Sequence, residues 1–263
     1  MKKIAVASVA ALAAMTVAGQ AIAGACQGMD VRVGTEGAYP PFNSIDDAGN
    51  LVGFDIDISN ALCESAGLNC TFITQDWDGI IPGLQAKKYD AIIASMSITP
   101  KRMEVVDFTG KYYNTPAKFV AAKDSNFDIS PDGLAGKVVG VQRATIHEDF
   151  LRATFPKAEV RNYGTQEEAN ADLASGRLDL VMADSVALLD GFLETPDGEG
   201  FQFVGPDYND PKFHGEGAGI AVRKGEDKLR ECLNEAISDI RAKGIYQKIN
   251  EKYFDFDVYG AES

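Results

Sequence analysis

Short apolar runs alternate along the chain with longer segments in which apolar residues recur at helical spacing. The runs VRVGTE (31–36), TFITQ (71–75) and AIIAS (91–95) predict strands, and the periodic segments predict helices. Further predicted strands are 117–123, 137–142, 159–164, 178–184, 201–205 and 217–224. The predicted helices are 55–67, 77–88, 99–106, 145–155, 165–177, 185–194, 226–243 and 245–254. This alternation is typical of an α/β fold with largely parallel sheets.

Two blocks of the sequence resemble each other. AKKYDAIIASMS (86–97) and SGRLDLVMADS (175–185) each contain a basic residue, an Asp, an apolar strand and then small polar residues. This repetition predicts two similar lobes, each presenting the carboxyl end of a strand. Ligands of open α/β sheets bind at such ends.

The first 23 residues have the pattern of a secretory signal peptide. Lys2 and Lys3 precede an apolar run and a small-residue end, and cleavage is expected after Ala23 or Ala25. Acylation at Cys26 is disfavoured because Ala, not a branched aliphatic residue, stands three positions before that cleavage. The run is shorter than the ~20 residues of a membrane span. We therefore expect a mature protein in the periplasm with no membrane insertion.

The composition is that of a globular protein, with 263 residues of which 45% are hydrophobic and 24% charged. The formal net charge of −14 argues against nucleic-acid and anionic membrane partners. Only two histidines are present, which disfavours a metal site, and His147 is expected to face solvent. Because G-x-S-x-G, H-E-x-x-H and phosphate-loop motifs are missing from the sequence, we expect neither an enzyme nor a cofactor.

The four cysteines become disulfide candidates in an oxidising compartment. Cys63 ends a predicted helix and Cys70 begins the next strand, so a bridge would join these two elements. Cys26 and Cys232 are left over. Cys232 lies on the apolar face of its helix, and it is either a buried free thiol or half of a second disulfide.

Several long motifs together resemble the periplasmic amino-acid-binding proteins of ABC importers, above all the lysine–arginine–ornithine-binding and histidine-binding group. The motifs are VGTEGAYPPFN, VGFDIDISNALC, WDGIIPGLQAKKYDAIIASMSITPKR, GRLDLVMAD and IYQKINEKYFDFDVYG. Together they cover nearly the whole mature chain.

The resemblance implies the type II periplasmic binding protein fold, in which two hinge strands join two α/β lobes. The first lobe would comprise 24–113 with 216–263, and the second 116–210. The hinges would lie near 114–115 and 211–215, the latter close to His214. The last helices would then return to the first lobe, which favours pairing of Cys26 with Cys232.

Arg102 is the candidate for the carboxylate of an amino-acid ligand, because a guanidinium binds both oxygens of a carboxylate. It stands one turn into a short helix that Thr99 caps. The alternative is that Arg102 is an exposed surface arginine. The resemblance of SMSITPKR to the family motif favours the role in ligand binding. Ser97 and Thr145 would add hydroxyl and backbone N–H donors. Ala94 and Ser95 are expected to offer backbone groups.

Asp184 is the candidate for the ligand ammonium. It ends the apolar strand LDLVMAD, so its carboxylate would project into a cleft at the strand end. Capping of the helix that starts at Ser185 is the alternative, and the resemblance favours the ammonium role. Arg102 and Asp184 come from different lobes, so a ligand that binds both would close the lobes.

The resemblance places the rings of Tyr39 and Trp77 around the ligand side chain, with core packing as the alternative for both. Glu36 stands where binders of basic amino acids carry an acidic group, and Gln142 is a candidate for a polar contact at the side-chain tail. Three departures leave the preferred ligand open: Glu36 instead of Asp, Ala94 instead of Ser, and VQRAT instead of a Gly-Thr or Gly-Ser turn.

The predicted function is the capture of a basic amino acid (arginine, lysine, ornithine or histidine) and its delivery to a membrane ABC permease. We expect a monomer with no nucleic-acid partner. An arginine-derived opine such as octopine or nopaline is the alternative ligand, because Ala94 leaves some extra room. An enzyme on the same fold, similar to cyclohexadienyl dehydratase, is the alternative class.

Overall fold

The computed structural model describes residues 26–260, so the proposed signal peptide at 1–23 lies outside the described residues. The strands are β1 (Asp30–Thr35), β2 (Ala38–Tyr39), β3 (Asn43–Ile45), β4 (Leu51–Val52), β5 (Asn69–Thr74), β6 (Ala91–Ile92), β7 (Val106–Tyr113), β8 (Ala117–Ala122), β9 (Val138–Gln142), β10 (Glu159–Tyr163), β11 (Leu180–Asp184), β12 (Phe201–Tyr208) and β13 (Ala218–Arg223). The α-helices are α1 (Phe54–Ala66), α2 (Trp77–Gln85), α3 (Pro100–Met103), α4 (Ile146–Thr154), α5 (Gln166–Ala174), α6 (Ser185–Leu188), α7 (Pro211–His214), α8 (Asp227–Ala242) and α9 (Ile245–Tyr253). Across 26–260, no helix has the length and apolar character to cross a membrane.

Two five-stranded sheets have the same topology, in the orders β5-β1-β6-β13-β7 and β10-β9-β11-β8-β12. In each sheet the first three strands are parallel to one another, and the fourth strand pairs antiparallel with both the third and the fifth. The prediction of largely parallel sheets was therefore wrong, since half of the strand pairs in these two sheets are antiparallel. The two similar blocks of sequence supply β6 and β11, which occupy the middle of their respective sheets.

The segment after Thr99 differs most from its prediction. Thr99 caps α3 and accepts a hydrogen bond from the N–H of Arg102 at 3.3 Å, as the pattern indicated. The helix then ends at Met103, not at residue 106, and Val106–Tyr113 forms a strand that was not predicted. Its aromatic side chains pack into the cores on either side, which stabilises an extended segment more than another helical turn would. The helix predicted at 185–194 begins as α6 and continues as a π-helix, Leu189–Leu193.

The chain crosses between the two sheets at 114–116 and again at 209–217. The second crossing contains α7 where a hinge strand was expected, and Phe213 of α7 packs with the core of the second sheet. Helix α8 packs against α1, so the C-terminal part of the chain lies with the first sheet. We refer to the two sheets with their helices as the first and second lobes. The residue boundaries given above for these lobes remain a prediction.

A buried carboxylate, Asp55, holds part of the first lobe in place. It accepts hydrogen bonds from the Tyr112 hydroxyl (2.7 Å), Asn43 Nδ2 (2.8 Å) and the Ser95 hydroxyl (3.0 Å). Burial raises the pKa of Asp55 to about 6, while these hydrogen bonds lower it. The network holds Ser95 in place through its hydroxyl and its backbone N–H, and Ser95 lines the cavity between the lobes.

The structure joins Cys63 to Cys70 and Cys26 to Cys232, with Cα atoms 6.1 and 6.4 Å apart. We expect protein made under oxidising conditions to contain both bridges. Chain-entropy arithmetic assigns roughly 2.5 kcal/mol to the short Cys63–Cys70 loop and more to the long one. Mass spectrometry of a non-reduced digest would show the two linked peptide pairs. Labelling of Cys63 and Cys70 by a thiol reagent without prior reduction would contradict this expectation.

Candidate ligand-binding site

A cavity lies between the lobes, where several strands of both sheets end. Glu36 directly follows β1, and Asp184 ends β11. All ten residues predicted from the sequence for a ligand site line this cavity: Glu36, Tyr39, Trp77, Ala94, Ser95, Ser97, Arg102, Gln142, Thr145 and Asp184. The cavity therefore brings together side chains that are widely separated along the chain.

Arg102 presents a guanidinium that forms no ion pair with any side chain of residues 26–260. Its Nη1 donates a hydrogen bond to the Ser97 carbonyl at 3.0 Å, and its guanidinium carbon lies 5.2 Å from the centre of the Trp77 ring. Burial lowers the pKa of Arg102 to about 10, so the group keeps its charge at neutral pH. A desolvated cation of this kind is stabilised by a carboxylate that can accept two parallel hydrogen bonds.

Asp184 both caps helix α6 and lines the cavity. Its Oδ1 accepts a hydrogen bond from the N–H of Val186 at 2.8 Å, and its Oδ2 accepts one from the Thr115 hydroxyl. Burial raises the pKa of Asp184 to about 6, against the opposing effect of these hydrogen bonds. In the described part of the chain no Lys or Arg neutralises this carboxylate. The two roles weighed from the sequence are thus compatible, and an ammonium would stabilise the charged form.

Glu36 and Gln142 meet across the cavity from opposite lobes. Gln142 Nε2 donates hydrogen bonds to Glu36 Oε1 and to the Gly164 carbonyl, the latter at 3.1 Å. Burial raises the pKa of Glu36 to about 7, although the bond from Gln142 opposes the shift. A cation in the cavity would favour the ionised form of Glu36, and a neutral group would not.

The rings of Tyr39 and Trp77 each belong to a hydrophobic core and also line the cavity. Tyr39 stacks on Phe42 with ring centres 6.2 Å apart, and its hydroxyl accepts a hydrogen bond from the N–H of Asp184 at 3.2 Å. Trp77 Nε1 donates to the Ala144 carbonyl at 3.1 Å, which links the two lobes. Each ring therefore packs in a hydrophobic core and also lines the cavity, so core packing and contact with a ligand are compatible for both residues.

Two of the expected donor groups are already used within the protein. The N–H of Ser95 donates to the Tyr112 hydroxyl at 3.1 Å, so this one of the backbone groups expected at Ala94 and Ser95 is already used. The Thr145 hydroxyl donates to the Gln142 carbonyl at 2.8 Å and accepts from the N–H of Glu148, which caps α4. The Thr145 hydroxyl proton is thus already used within the second lobe, and the backbone N–H donor expected at Thr145 stays a prediction. Ala94 lines the cavity and Ser97 lies beside Arg102, as expected from their sequence positions.

His147 was expected to face solvent, and this was wrong. Only 9% of it is exposed, and it lines the cavity together with His214, of which 8% is exposed. The helical spacing could have indicated its burial, because His147 precedes the buried Phe150 and Leu151 by three and four positions and so lies on the same helix face. The cavity also includes other residues that sequence reasoning did not assign: Tyr113, Asn114, Thr115, Ala117, Ile146, Gly217 and Ala218.

Exposed ion pairs also connect the lobes at the edge of the cavity. Arg143 Nε lies 2.6 Å from Asp78 Oδ2, and Lys101 Nζ lies 2.7 Å from Asp149 Oδ2. Arg143 belongs to the segment VQRAT, which departs from the usual turn of the related binding proteins. This segment therefore contributes a contact between the two lobes.

We expect Arg143→Ala to weaken ligand binding only slightly, by about twofold to fivefold. The reason is that exposed ion pairs contribute about 0.2–1 kcal/mol, and this one stabilises the closed arrangement. Titration calorimetry of Arg143→Ala, Asp78→Ala and the double variant would measure the coupling, which should decrease at high salt. Additive effects of the two substitutions at low salt would show that the pair does not stabilise closure.

The two similar lobes and the charged cavity between them define a two-lobed ligand-binding protein. Residues 31–256 match the bacterial extracellular solute-binding proteins, family 3, and the chain belongs to this family. The resemblance noted in the sequence is thereby confirmed.

Named relatives agree with this assignment. The L-arginine-binding protein of Pseudomonas aeruginosa is 50% identical over 233 residues, which are 88% of this chain and 90% of the relative. The histidine-binding periplasmic protein of Escherichia coli is 43% identical over 233 residues, with the same two shares. A solved ancestral arginine-binding protein bound to arginine is 38% identical, and the match covers 87% of this chain and 99% of that one, with a TM-score of 0.80.

Proposed function

We propose that this protein captures a basic amino acid between its two lobes and delivers it to the membrane permease of an ABC importer. The observation that carries the proposal is the pair of opposite charges in one cavity, Arg102 from the first lobe and Asp184 from the second. Neither charge has an ionic partner among the described residues. An α-amino acid supplies both partners, since it carries a carboxylate and an ammonium on the same carbon.

Binding of such a ligand would favour closure because each lobe contributes one half of the recognition. A carboxylate on Arg102 and an ammonium on Asp184 are both satisfied only when the lobes approach. The ligand thus binds the closed form better than the open form, which is the requirement for a population shift.

The lining of the cavity favours a ligand with a cationic side chain. Glu36 supplies a carboxylate there, and the rings of Tyr39 and Trp77 offer faces that attract cations and pack against an aliphatic stem. The relatives reported above are named for arginine and histidine. These observations support arginine, lysine, ornithine or histidine as the ligand.

The location and assembly of the protein are part of the proposal. The signal-peptide pattern at 1–23 and the periplasmic relative support export to the periplasm. We propose that the protein acts there as a monomer, and that the closed form is the one the permease recognises.

One calorimetric screen tests the proposed function. The protein is freed of ligand by unfolding and refolding, then titrated with the twenty amino acids, ornithine, octopine and nopaline. We expect the tightest binding from a basic amino acid. Preference for an opine would favour the alternative ligand class, for which Ala94 leaves room, and binding of none of these would refute the proposal. Turnover of prephenate or arogenate would instead indicate an enzyme.

A further inference from the structure

The indole N–H of Trp77 and the carbonyl of Ala144 form a direct hydrogen bond between the lobes. Trp77 Nε1 lies 3.1 Å from the carbonyl oxygen. Only 9% of Trp77 is exposed, and a buried indole N–H usually has a hydrogen-bond partner. Here the partner belongs to the other lobe, so separation of the lobes would break the bond and leave both groups to water.

The backbone of Ala144 is strained and firmly held. Its φ of 59° lies in the left-handed region, which a residue with a Cβ atom rarely adopts. Its N–H donates a hydrogen bond to Glu148 Oε2 at 2.7 Å, and the next residue, Thr145, caps α4 by accepting a bond from the N–H of Glu148. These bonds fix the backbone on both sides of the Ala144 carbonyl. Backbone strain that is held in this way is typical of functional positions.

The bond between Trp77 and Ala144 lies beside the cavity and not within it. Trp77 lines the cavity, whereas Ala144 does not. The hydrogen bond from Gln142 to Glu36 also joins the lobes, but both of its residues line the cavity, so the charge of a ligand can change it. A ligand can therefore occupy the cavity without displacing the bond between Trp77 and Ala144.

We propose that the hydrogen bond from the Trp77 indole to the Ala144 carbonyl holds the lobes together over a bound ligand and so slows its release. The inference rests on the proposed function, and in it the indole N–H is a positioning group that acts on the ligand only through the lobes. Because the bond forms after the ligand has entered, its loss should raise the dissociation rate and leave the association rate nearly unchanged. Because the N–H does not touch the ligand, the same factor should apply to every amino acid.

The test uses the fact that Trp77 is the single tryptophan of the sequence. Expression in a tryptophan-auxotrophic host supplied with the benzothiophene analogue of tryptophan replaces this one N–H by sulfur and keeps a bicyclic ring. A ring-fluorinated tryptophan, supplied in the same way, keeps the N–H and is the matched comparison. We expect L-arginine to leave the benzothiophene protein about tenfold faster than the fluorinated one, the size of one lost hydrogen bond, with association rates within about twofold. A chase of labelled arginine with excess unlabelled arginine measures the release.

Salt separates this bond from the exposed ion pair of Arg143 with Asp78 beside it. The ratio of release rates should be the same at low and high salt because neither partner of the bond is charged, whereas the effect of Arg143→Ala should decrease. Trp77→Phe also lacks the N–H and should release arginine at least as fast as the benzothiophene protein, and thermal melts compare the folding of all variants.

Equal release rates from the two substituted proteins would overturn the inference, as would a ratio that differs between arginine and lysine. The proposed function fails on a different result, namely that the wild-type protein binds no basic amino acid. The same comparison, made with the ligand that the calorimetric screen returns, then still tests the hydrogen bond.

Discussion

Arg102→Ala should abolish measurable binding of every amino acid, whatever its side chain. The substitution removes a charge-assisted pair of hydrogen bonds worth roughly 1.5–3 kcal/mol, and it leaves the ligand carboxylate buried without a cation, which costs more. We therefore expect affinity to fall at least about 100-fold, and titration calorimetry would measure the loss. Arg102→Lys should recover little, because an ammonium keeps the charge but lacks the planar fork.

The control for this prediction is Arg152→Ala. Arg152 is an exposed arginine of α4 that pairs with Glu148 within its own helix, so its removal should leave affinity within about twofold of wild type. Thermal melts of the ligand-free variants would detect any general loss of folding. A titration of Arg102→Ala that matches wild type would exclude Arg102 from the site and remove the main support for the proposed function.

The sequence was sufficient to locate ten of the cavity residues because most of these ten lie at strand ends or at helix starts. Asp184 illustrates this, since the apolar run LDLVMAD already specifies a buried strand that ends in a carboxylate. The short helix at Arg102 was identified for a similar reason, because Thr99 and Pro100 mark its start locally. Such features depend on residues only a few positions apart, so they can be predicted from the pattern of residue types.

The errors concern interactions between distant parts of the chain. No local pattern shows that the hydroxyl of Tyr112 takes up the N–H of Ser95, or that the extended segment Val106–Tyr113 pairs with β13. The direction of β8 and β13 within their sheets is likewise set by how the chain crosses between lobes. His147 was misplaced because its helix is amphipathic toward a lobe interface that only the fold creates.

Glu36→Gln should change the order of ligand preference. In the proposed complex the Glu36 carboxylate faces the distal cation of the ligand, and Gln keeps its size and can still accept the hydrogen bond from Gln142. Arginine or lysine should bind more weakly by about 1–3 kcal/mol, the range for a partly desolvated charge pair. Glutamine should lose nothing or gain slightly, because an unpaired carboxylate no longer lines its pocket. Parallel titrations with arginine, lysine and glutamine would show the change.

The matched control removes a different carboxylate charge, one that lies near Glu36 but outside the cavity. Glu167 is exposed on α5 and close enough to raise the pKa of Glu36, yet it does not line the cavity. Glu167→Gln should change the affinities for arginine and glutamine by less than about twofold. If Glu36→Gln weakens cationic and neutral ligands equally, or affects neither, a basic amino acid is not the ligand, even though the protein remains a member of its family.

The pH dependence of binding supplies an independent measure of the same contact. Burial raises the pKa of Glu36 to about 7 in this structure, and a cation bound beside it would lower that pKa. The complex therefore binds fewer protons than the free protein, so arginine affinity should rise as the pH increases from 6 to 8 and fall as the pH decreases through 7. Asp184, with its pKa at about 6, contributes the same trend for every amino acid. The difference between arginine and glutamine isolates Glu36, and this difference should lose its pH dependence in Glu36→Gln. A difference that stays constant with pH in the wild-type protein would mean that Glu36 does not pair with the ligand.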